Sequence, residues 1–396
     1  MNSAYSNIFK MENCQICGST NWLLLPDPNK NQSVTTTGRI VNRPLGKSQC
    51  VKCGFVQRTR ENFLGLSDYY EQDYANYYNR PGTEEFHKNR YSTIVDWMCQ
   101  FIVPEFTFKT VLDVGCGQGW AMEAFLNKYP EIKITGIEPS TYNVDIARSK
   151  GLEVKTGKLE QMQSDVKFDL IFSNNVIQHV NDAKAFLFDL KDKLSDNGII
   201  IVTCPDGSKP NIELLWADQN YSFLPIHLLN LGEDLGFEIF NLAQSSESSS
   251  LPPSQLILLT NNLLFKNRFV NSKLSSFESI EKVFKQRVDY LESFEKIDEF
   301  LFTSVLNEKN VFNFGASYWT SVLAAYCPEY WNLVEACVID RNNEYKDFLG
   351  KKIFDLNAIP PKSIIVLGIT PSSHKLLKSF YKDNYKVICW DQFINY

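Results

Sequence analysis

"VLDVGCGQGW", residues 111–120, runs a mostly apolar stretch into three glycines spaced one apart. A dinucleotide-binding turn needs G-x-G-x-x-G, whose last glycine lets the helix pack closely above a pyrophosphate. Here Gly115, Gly117 and Gly119 give G-x-G-x-G instead. Asp113, two residues before the first glycine, falls at the predicted strand end, where a carboxylate opposes a pyrophosphate but can hold an ammonium group. One strand and helix further on, "GIEPS" (136–140) puts Glu138 at the tip of the next strand, where a carboxylate accepts both hydroxyls of a ribose. These features suit a cofactor with a ribose, a positively charged amino-acid end and no phosphate. S-adenosylmethionine has them.

Around the turn, apolar strands alternate with amphipathic helices: "TVLDVG" (110–115), "AMEAFLNKY" (121–129), "KITGIEP" (133–139), "YNVDIARSKG" (142–151), "FDLIFSN" (168–174), "AKAFLFDLKDKLSDNG" (183–198) and "IIIVTCP" (199–205). Such alternation predicts an α/β fold with a mostly parallel sheet and helices on both faces. The polar stretch "AQSSESSSLPPSQ" (243–255) reads as a linker or an exposed hairpin. Beyond it, "NVFNFGASYWTSVLAAY" (310–326), "VEACVID" (334–340), "SIIVLGIT" (363–370) and "YKVICWD" (385–391) predict a second, smaller α/β unit. Its Gly315-Ala316-Ser317 turn opens a helix whose N-terminus can take an anion, and Asp340 ends the next strand.

The N-terminal part carries other chemistry. "CQICGS" (14–19) and "CVKCGF" (50–55) each hold a C-x-x-C followed by glycine. Cys14, Cys17, Cys50 and Cys53 satisfy the closed tetrahedral shell of a structural zinc ion, which leaves no position open for catalysis. The loop between the pairs, with "TTTGRI" (35–40), is expected to form a small hairpin. The predicted organisation is a zinc-binding module over 1–60, a cofactor-binding domain with a tyrosine-rich lead-in over 61–245, and a C-terminal α/β domain over 246–396. The full chain has 396 residues, 44% hydrophobic and 22% charged, with net charge −6. This acidic balance argues against a nucleic-acid partner. The absence of a signal-like start and of a long apolar run points to a cytoplasmic protein with no membrane segment.

Residues 110 to about 205 resemble the class I S-adenosylmethionine-dependent methyltransferases, on "VLDVGCGQGW", "GIEPS", "GKLEQM" (157–162) and "FDLIFSNNVIQHVND" (168–182). The resemblance implies a Rossmann-like domain and places Asn174 and Asn175 beside the cofactor. With the flanking parts included, the chain is similar to the zinc-containing nucleotide-sugar C-methyltransferases of deoxysugar pathways. That likeness implies a nucleotide-linked sugar or related small metabolite as substrate, with Tyr74, Tyr77 and Tyr78 lining the sugar site, His179 facing the acceptor, and a C-terminal domain that closes over the nucleotide. The family carries Glu-His before a Tyr-Phe pair where "WADQNYSFLP" (216–225) has Asp218-Gln219 and Ser222-Phe223, with Tyr221 one place early. A glutamine cannot act as general base. Asp218, His179 or a tyrosinate, from Tyr77 or Tyr221, must then take the proton. The change makes transfer to oxygen a close rival of transfer to carbon. A non-catalytic binding protein that keeps the scaffold is the alternative.

Overall fold

The computed structural model describes residues 8–63, 84–163, 165–245, 251–262, 279–340 and 346–394. Tyr74, Tyr77 and Tyr78 lie outside the described residues. In the N-terminal part, β1 (Ile8–Lys10), β2 (Asn21–Leu24), β5 (Lys47–Cys50) and β6 (Val56–Arg58) form an antiparallel sheet, and β3 (Ser33–Val34) pairs β4 (Ile40–Val41) as the small hairpin.

Helix α1 (Glu84–Cys99) leads into the central domain: β7 (Thr110–Val114), α2 (Trp120–Lys128), β8 (Lys133–Glu138), α3 (Thr141–Ser149), β9 (Glu153–Thr156), β10 (Phe168–Asn174), α4 (Ala183–Lys193), β11 (Leu194–Pro205), β12 (Tyr221–Ser222), α5 (Pro225–Asp234), β13 (Glu238–Gln244) and β14 (Ser254–Thr260). The sheet runs in the order β13-β14-β11-β10-β7-β8-β9. Strands β7 to β11 are parallel, and β14 is antiparallel to both neighbours. The order reverses between β7 and β10, so a crevice opens beyond their carboxyl ends, the usual ligand position in such sheets.

Two boundaries differ from the expected ones. The central sheet does not end at residue 245, because the buried run Leu256–Leu259 forms β14 inside it. The ends of the polar stretch 243–255 belong to the paired strands themselves, Ala243 and Gln244 to β13 and Ser254 and Gln255 to β14. Strand β12 does not join the central sheet; it pairs with β6 and completes the N-terminal sheet.

The C-terminal unit comprises α6 (Ile280–Val305), β15 (Val311–Phe314), α7 (Tyr318–Tyr326), α8 (Pro328–Leu333), β16 (Ala336–Ile339), β17 (Asp347–Phe348), β18 (Lys351–Asp355), β19 (Ile364–Leu367), α9 (His374–Tyr381) and β20 (Lys386–Ile388). Its sheet order is β17-β18-β16-β15-β19-β20, parallel except for β17, so it too reverses, between β15 and β19. No described helix is long and apolar enough to cross a membrane.

The N-terminal sheet is buried on both faces. Successive strand residues point to opposite sides: Trp22 and Phe55 pack with Tyr221, Phe223 and Leu228 of the central domain, while Leu23 and Val56 pack with Phe294 and Trp319 of the C-terminal unit. The polar residues of this sheet must find partners inside. Arg58 donates to the carbonyls of Leu45, Pro44 and Ala217. Lys47 Nζ donates to those of Leu214 at 2.9 Å and Glu213 at 3.3 Å. From α6, Arg287 reaches Gln49 Oε1 at 2.6 Å, the Gly54 carbonyl at 2.7 Å and the Gly207 carbonyl at 3.0 Å.

Arg287 is thus a tie between all three parts, buried and, among the described residues, hydrogen-bonded to neutral groups. Replacing it by methionine strands several buried acceptors, and we expect Arg287→Met to lower stability by about 3–5 kcal/mol in urea unfolding. A loss below about 1 kcal/mol would mean that the tie carries little of the assembly.

Candidate active site

The carboxyl ends of β7, β8 and β10 open into a cavity of about 1050 Å³, lined from all three parts of the chain. Among its lining residues, Asp113 is 2% exposed, and its Oδ2 has no hydrogen-bond partner among the described residues. Burial, with Glu138 alongside, raises its carboxyl well above the usual carboxylate range. An orphaned buried carboxylate calls for a cation, and a ligand ammonium group would answer that call. Gly117 has φ +52 and open space where a Cβ would stand, so a side chain there would protrude toward the ligand space. Glu138 accepts from Gly117 N through Oε2 and from Ser140 N through Oε1, both at 3.0 Å. Each oxygen keeps a second lone pair for a ribose hydroxyl. Asn174 and Asn175 also line the cavity, with Asn174 Oδ1 accepting from the Thr203 hydroxyl at 2.6 Å. The residues present fit S-adenosylmethionine at this end.

His179 lines the same cavity. Its Nδ1 lies 2.7 Å from the Asp218 carbonyl, and since a carbonyl only accepts, Nδ1 carries the proton and Nε2 is the accepting nitrogen. Burial lowers its pKa, partly offset by Asp218. Beside it, Gln219 lines the cavity and donates its amide to Glu213, a carboxyl raised by burial that also lines the cavity.

Two expected proton acceptors stand elsewhere. The Asp218 carboxylate is 1% exposed and accepts from Thr36 N at 2.8 Å and from the Thr36 hydroxyl. Tyr221 is fixed between the N-terminal module and the central domain: its hydroxyl donates to the Asn181 carbonyl at 2.5 Å and accepts from Gln15 Nε2 at 2.8 Å. Its ring stacks on Phe55 at 5.4 Å, and burial raises the phenol pKa further. Neither side chain is among the cavity's lining residues.

The sequence reading missed Thr36, Arg90, Glu213 and Tyr318, all on the cavity wall, together with Thr370 and Ser372 beyond the end of β19. The Gly315-Ala316-Ser317 turn does not reach the cavity, whereas Tyr318, the next residue, does. Asp340 accepts from the Tyr381 hydroxyl at 2.9 Å, away from it.

The four cysteine sulfurs lie within 4.8 Å of one another, with Cys14 3.6 Å from Cys53 and Cys17 3.5 Å from Cys50. A tetrahedral zinc with bonds of about 2.3 Å sets its sulfurs about 3.8 Å apart, so the donor set fits that ion. Each knuckle closes alike: Gly18 N donates to Cys14 O and Gly54 N to Cys50 O, both glycines at positive φ. A second cluster, His374, Cys389 and Asp391, is held by its own bonds, with His374 Nδ1 3.0 Å from Asp391 Oδ1 and Nε2 3.3 Å from the Ile369 carbonyl.

Residues 86–239 match the sequence profile of a family described as a methyltransferase domain. Over 169 residues the chain is 23% identical to a mitochondrial ubiquinone biosynthesis O-methyltransferase of Schizosaccharomyces pombe, covering 39% of this chain and 61% of that one. It is 33% identical over 113 residues to a trans-aconitate 2-methyltransferase of Enterobacter, covering 28% and 45%. The solved plantazolicin methyltransferase BpumL, in complex with SAH, aligns with 50% of this chain and 94% of its own, at 16% identity and a TM-score of 0.39. The chain spans about one third to three fifths of the length of the first curated relatives it matches. Residues 86–239 are thus similar to a methyltransferase domain.

Proposed function

We propose that the protein transfers a methyl group from S-adenosylmethionine to a nucleotide-linked sugar or related small metabolite, with His179 taking the acceptor's proton. The observation that carries this reading is one cavity lined both by a buried carboxyl, Asp113, whose Oδ2 has no hydrogen-bond partner among the described residues, and by His179, whose Nδ1 is fixed on a main-chain carbonyl. When bound, S-adenosylmethionine supplies an electrophilic methyl: a bond from acceptor to methyl forms as the sulfur–methyl bond breaks, and the sulfonium becomes a neutral thioether. Asp113 would hold its ammonium group, Glu138 its ribose, and Asn174 the space between them and the acceptor. His179 Nε2 would receive the proton that leaves the acceptor atom. The four cysteines would hold zinc as a structural ion. At about 1050 Å³ the cavity lies at the top of the range for a single ligand, which supports two ligands side by side.

The sugar assignment draws on the whole-chain resemblance and on the cavity lining, where Thr370, Ser372 and Tyr318 offer hydroxyls and Arg90 a cation. Carbon is the acceptor atom by resemblance. Transfer to oxygen is the second reading, because the Gln219 amide cannot take a proton and is engaged with Glu213. Labelled S-adenosylmethionine, offered with keto and fully hydroxylated nucleotide sugars, separates the two by the methyl's position in NMR spectra. No transfer to any of them would remove the sugar from the reading.

Asp113→Ala should fold normally by circular dichroism and bind S-adenosylhomocysteine about 10- to 100-fold more weakly; wild-type affinity in calorimetry would contradict the cofactor assignment. With burial lowering the His179 pKa, the base is already neutral below the ordinary histidine value of about 6.5. kcat/KM should therefore rise with pH to a plateau, with its acid midpoint below about 6.5, and His179→Gln should cost about 10²- to 10⁴-fold in rate. A profile without an acid limb in that range would exclude His179. Purified protein should contain zinc at equimolar level, and Cys50→Ser should lose both the metal and the cooperative unfolding transition. A stable, metal-free variant would remove the structural-zinc reading.

A further inference from the structure

Gln219 stands in the chain between two residues that bond to His179: the Asp218 carbonyl lies 2.7 Å from Nδ1, and Asn220 Nδ2 donates to the His179 carbonyl at 2.9 Å. Its side chain lines the cavity, and its amide donates to Glu213 Oε2. Glu213, which lines the cavity too, is fixed along its whole length. Its N–H donates to Asn211 Oδ1 at 2.9 Å, its carbonyl accepts from Lys47 Nζ at 3.3 Å, and its carboxyl accepts from Gln219. Among the described residues no donor is bonded to the other carboxyl oxygen, Oε1. Gln178, the neighbour of His179, adds a second acceptor: it is 2% exposed and lines the cavity, and its Oε1 is buried with no partner among the described residues. The Gln178 carbonyl accepts from Tyr221 N at 3.1 Å, so its main chain is held as firmly. Acceptors left in this state cost free energy until a ligand donor meets them.

Charge decides which kind of donor fits. The groups acting on Glu213 are Arg90, Asp218 and Lys47, and Arg58 acts on Asp218 in turn. Two carboxyl groups are thus offset by three fixed cations. A further cation would find little attraction there, whereas a neutral hydroxyl suits the site. Asp113 differs, because its charged neighbour is a second carboxyl, Glu138. We propose that Glu213 is a substrate-binding residue that selects the acceptor: its Oε1 takes a hydrogen bond from a hydroxyl of the acceptor, with Gln219 as the positioning residue that holds the carboxylate and Gln178 as a second polar contact. The proposal rests on the reading of the cavity as a methyl-transfer chamber with His179 as proton acceptor. It gives Gln219 a task that requires no titration, since an amide that cannot act as a base can still fix a carboxylate by a charge-assisted hydrogen bond.

Methyl transfer by the full-length protein is measured on uridine and thymidine diphosphate glucose, on their keto forms, and on mono-deoxy analogues of whichever of these the wild-type protein methylates, with one ring hydroxyl missing at a time. The wild-type protein should reject one analogue by at least about 10²-fold in kcat/KM, because the buried acceptor is then left unmatched. In Glu213→Leu that ratio should fall below about 10-fold, through loss on the fully hydroxylated sugar. Glu213→Gln keeps the shape and an acceptor oxygen without the charge, and should give an intermediate ratio. Gln219→Leu should lower the same ratio through Glu213. Ratios for the other analogues should stay at their wild-type values, a pattern that a merely structural role does not produce. Circular dichroism checks that each variant folds. An unchanged ratio in every folded Glu213 variant overturns the proposal, as do equal losses on all sugars or a wild-type protein that rejects no analogue. No transfer by the wild-type protein to any of the sugars overturns instead the sugar reading, and the proposal with it. Full transfer by His179→Gln overturns the role of His179 while selection by Glu213 stands.

Discussion

The molecule depends on a small sheet that is buried on both faces. Strands in that position usually read as continuous apolar runs, yet β5 and β6 carry Lys47, Ser48, Gln49, Gln57 and Arg58, all at most 1% exposed. Burying such groups is costly unless they are hydrogen-bonded; the central domain supplies partners for Lys47 and Arg58 and α6 for Gln49, while Ser48 Oγ and Gln57 Oε1 have none among the described residues. Lys47 and Arg58 end on the carbonyls of Glu213, Leu214 and Ala217, and the Tyr326 hydroxyl on that of Leu215. The segment 213–217, which pairs in no sheet beyond the single bridge between Trp216 and Val34, is therefore shaped by side chains from the two other parts.

That constraint explains why the candidate site is composite. The two α/β units each reverse strand order at a crevice, β7 against β10 and β15 against β19, and the N-terminal sheet joins them so that both crevices contribute to one cavity. The central domain supplies the groups that fit the cofactor. The segment 212–219 supplies Glu213 and Gln219, held from outside, and the hairpin of the N-terminal module supplies Thr36. The module that carries the four cysteines thereby becomes part of the cavity wall, reaching it through the sheet that the two knuckles flank.

The strand-helix alternation from Thr110 was legible because its apolar periods are long and regular, and Asp113, Glu138 and the cysteine pairs were legible because their spacing is local. Thr36, Glu213 and Tyr318 were not, since each reaches the cavity through tertiary packing between parts far apart in the chain. Asp218 and Tyr221 were read as candidate proton acceptors from their position in a motif; nothing local in "WADQNYSF" says that Thr36 and Gln15 bond their polar atoms. Strand β14 was assigned to the wrong side of the boundary because a polar stretch reads alike as linker and as hairpin turn. Only the pairing of Leu256–Leu259 with β11 and β13 distinguishes them.

The account's central claim is that the cavity beyond β7 and β10 holds S-adenosylmethionine with its reactive end toward His179. A crystal structure of the protein with S-adenosylhomocysteine tests it most directly. The account predicts the ammonium group on Asp113, the ribose hydroxyls on Glu138, and the sulfur on the side of the cavity that carries His179 and Gln219. Density for the ligand elsewhere, or with its sulfur turned away from His179, would contradict it.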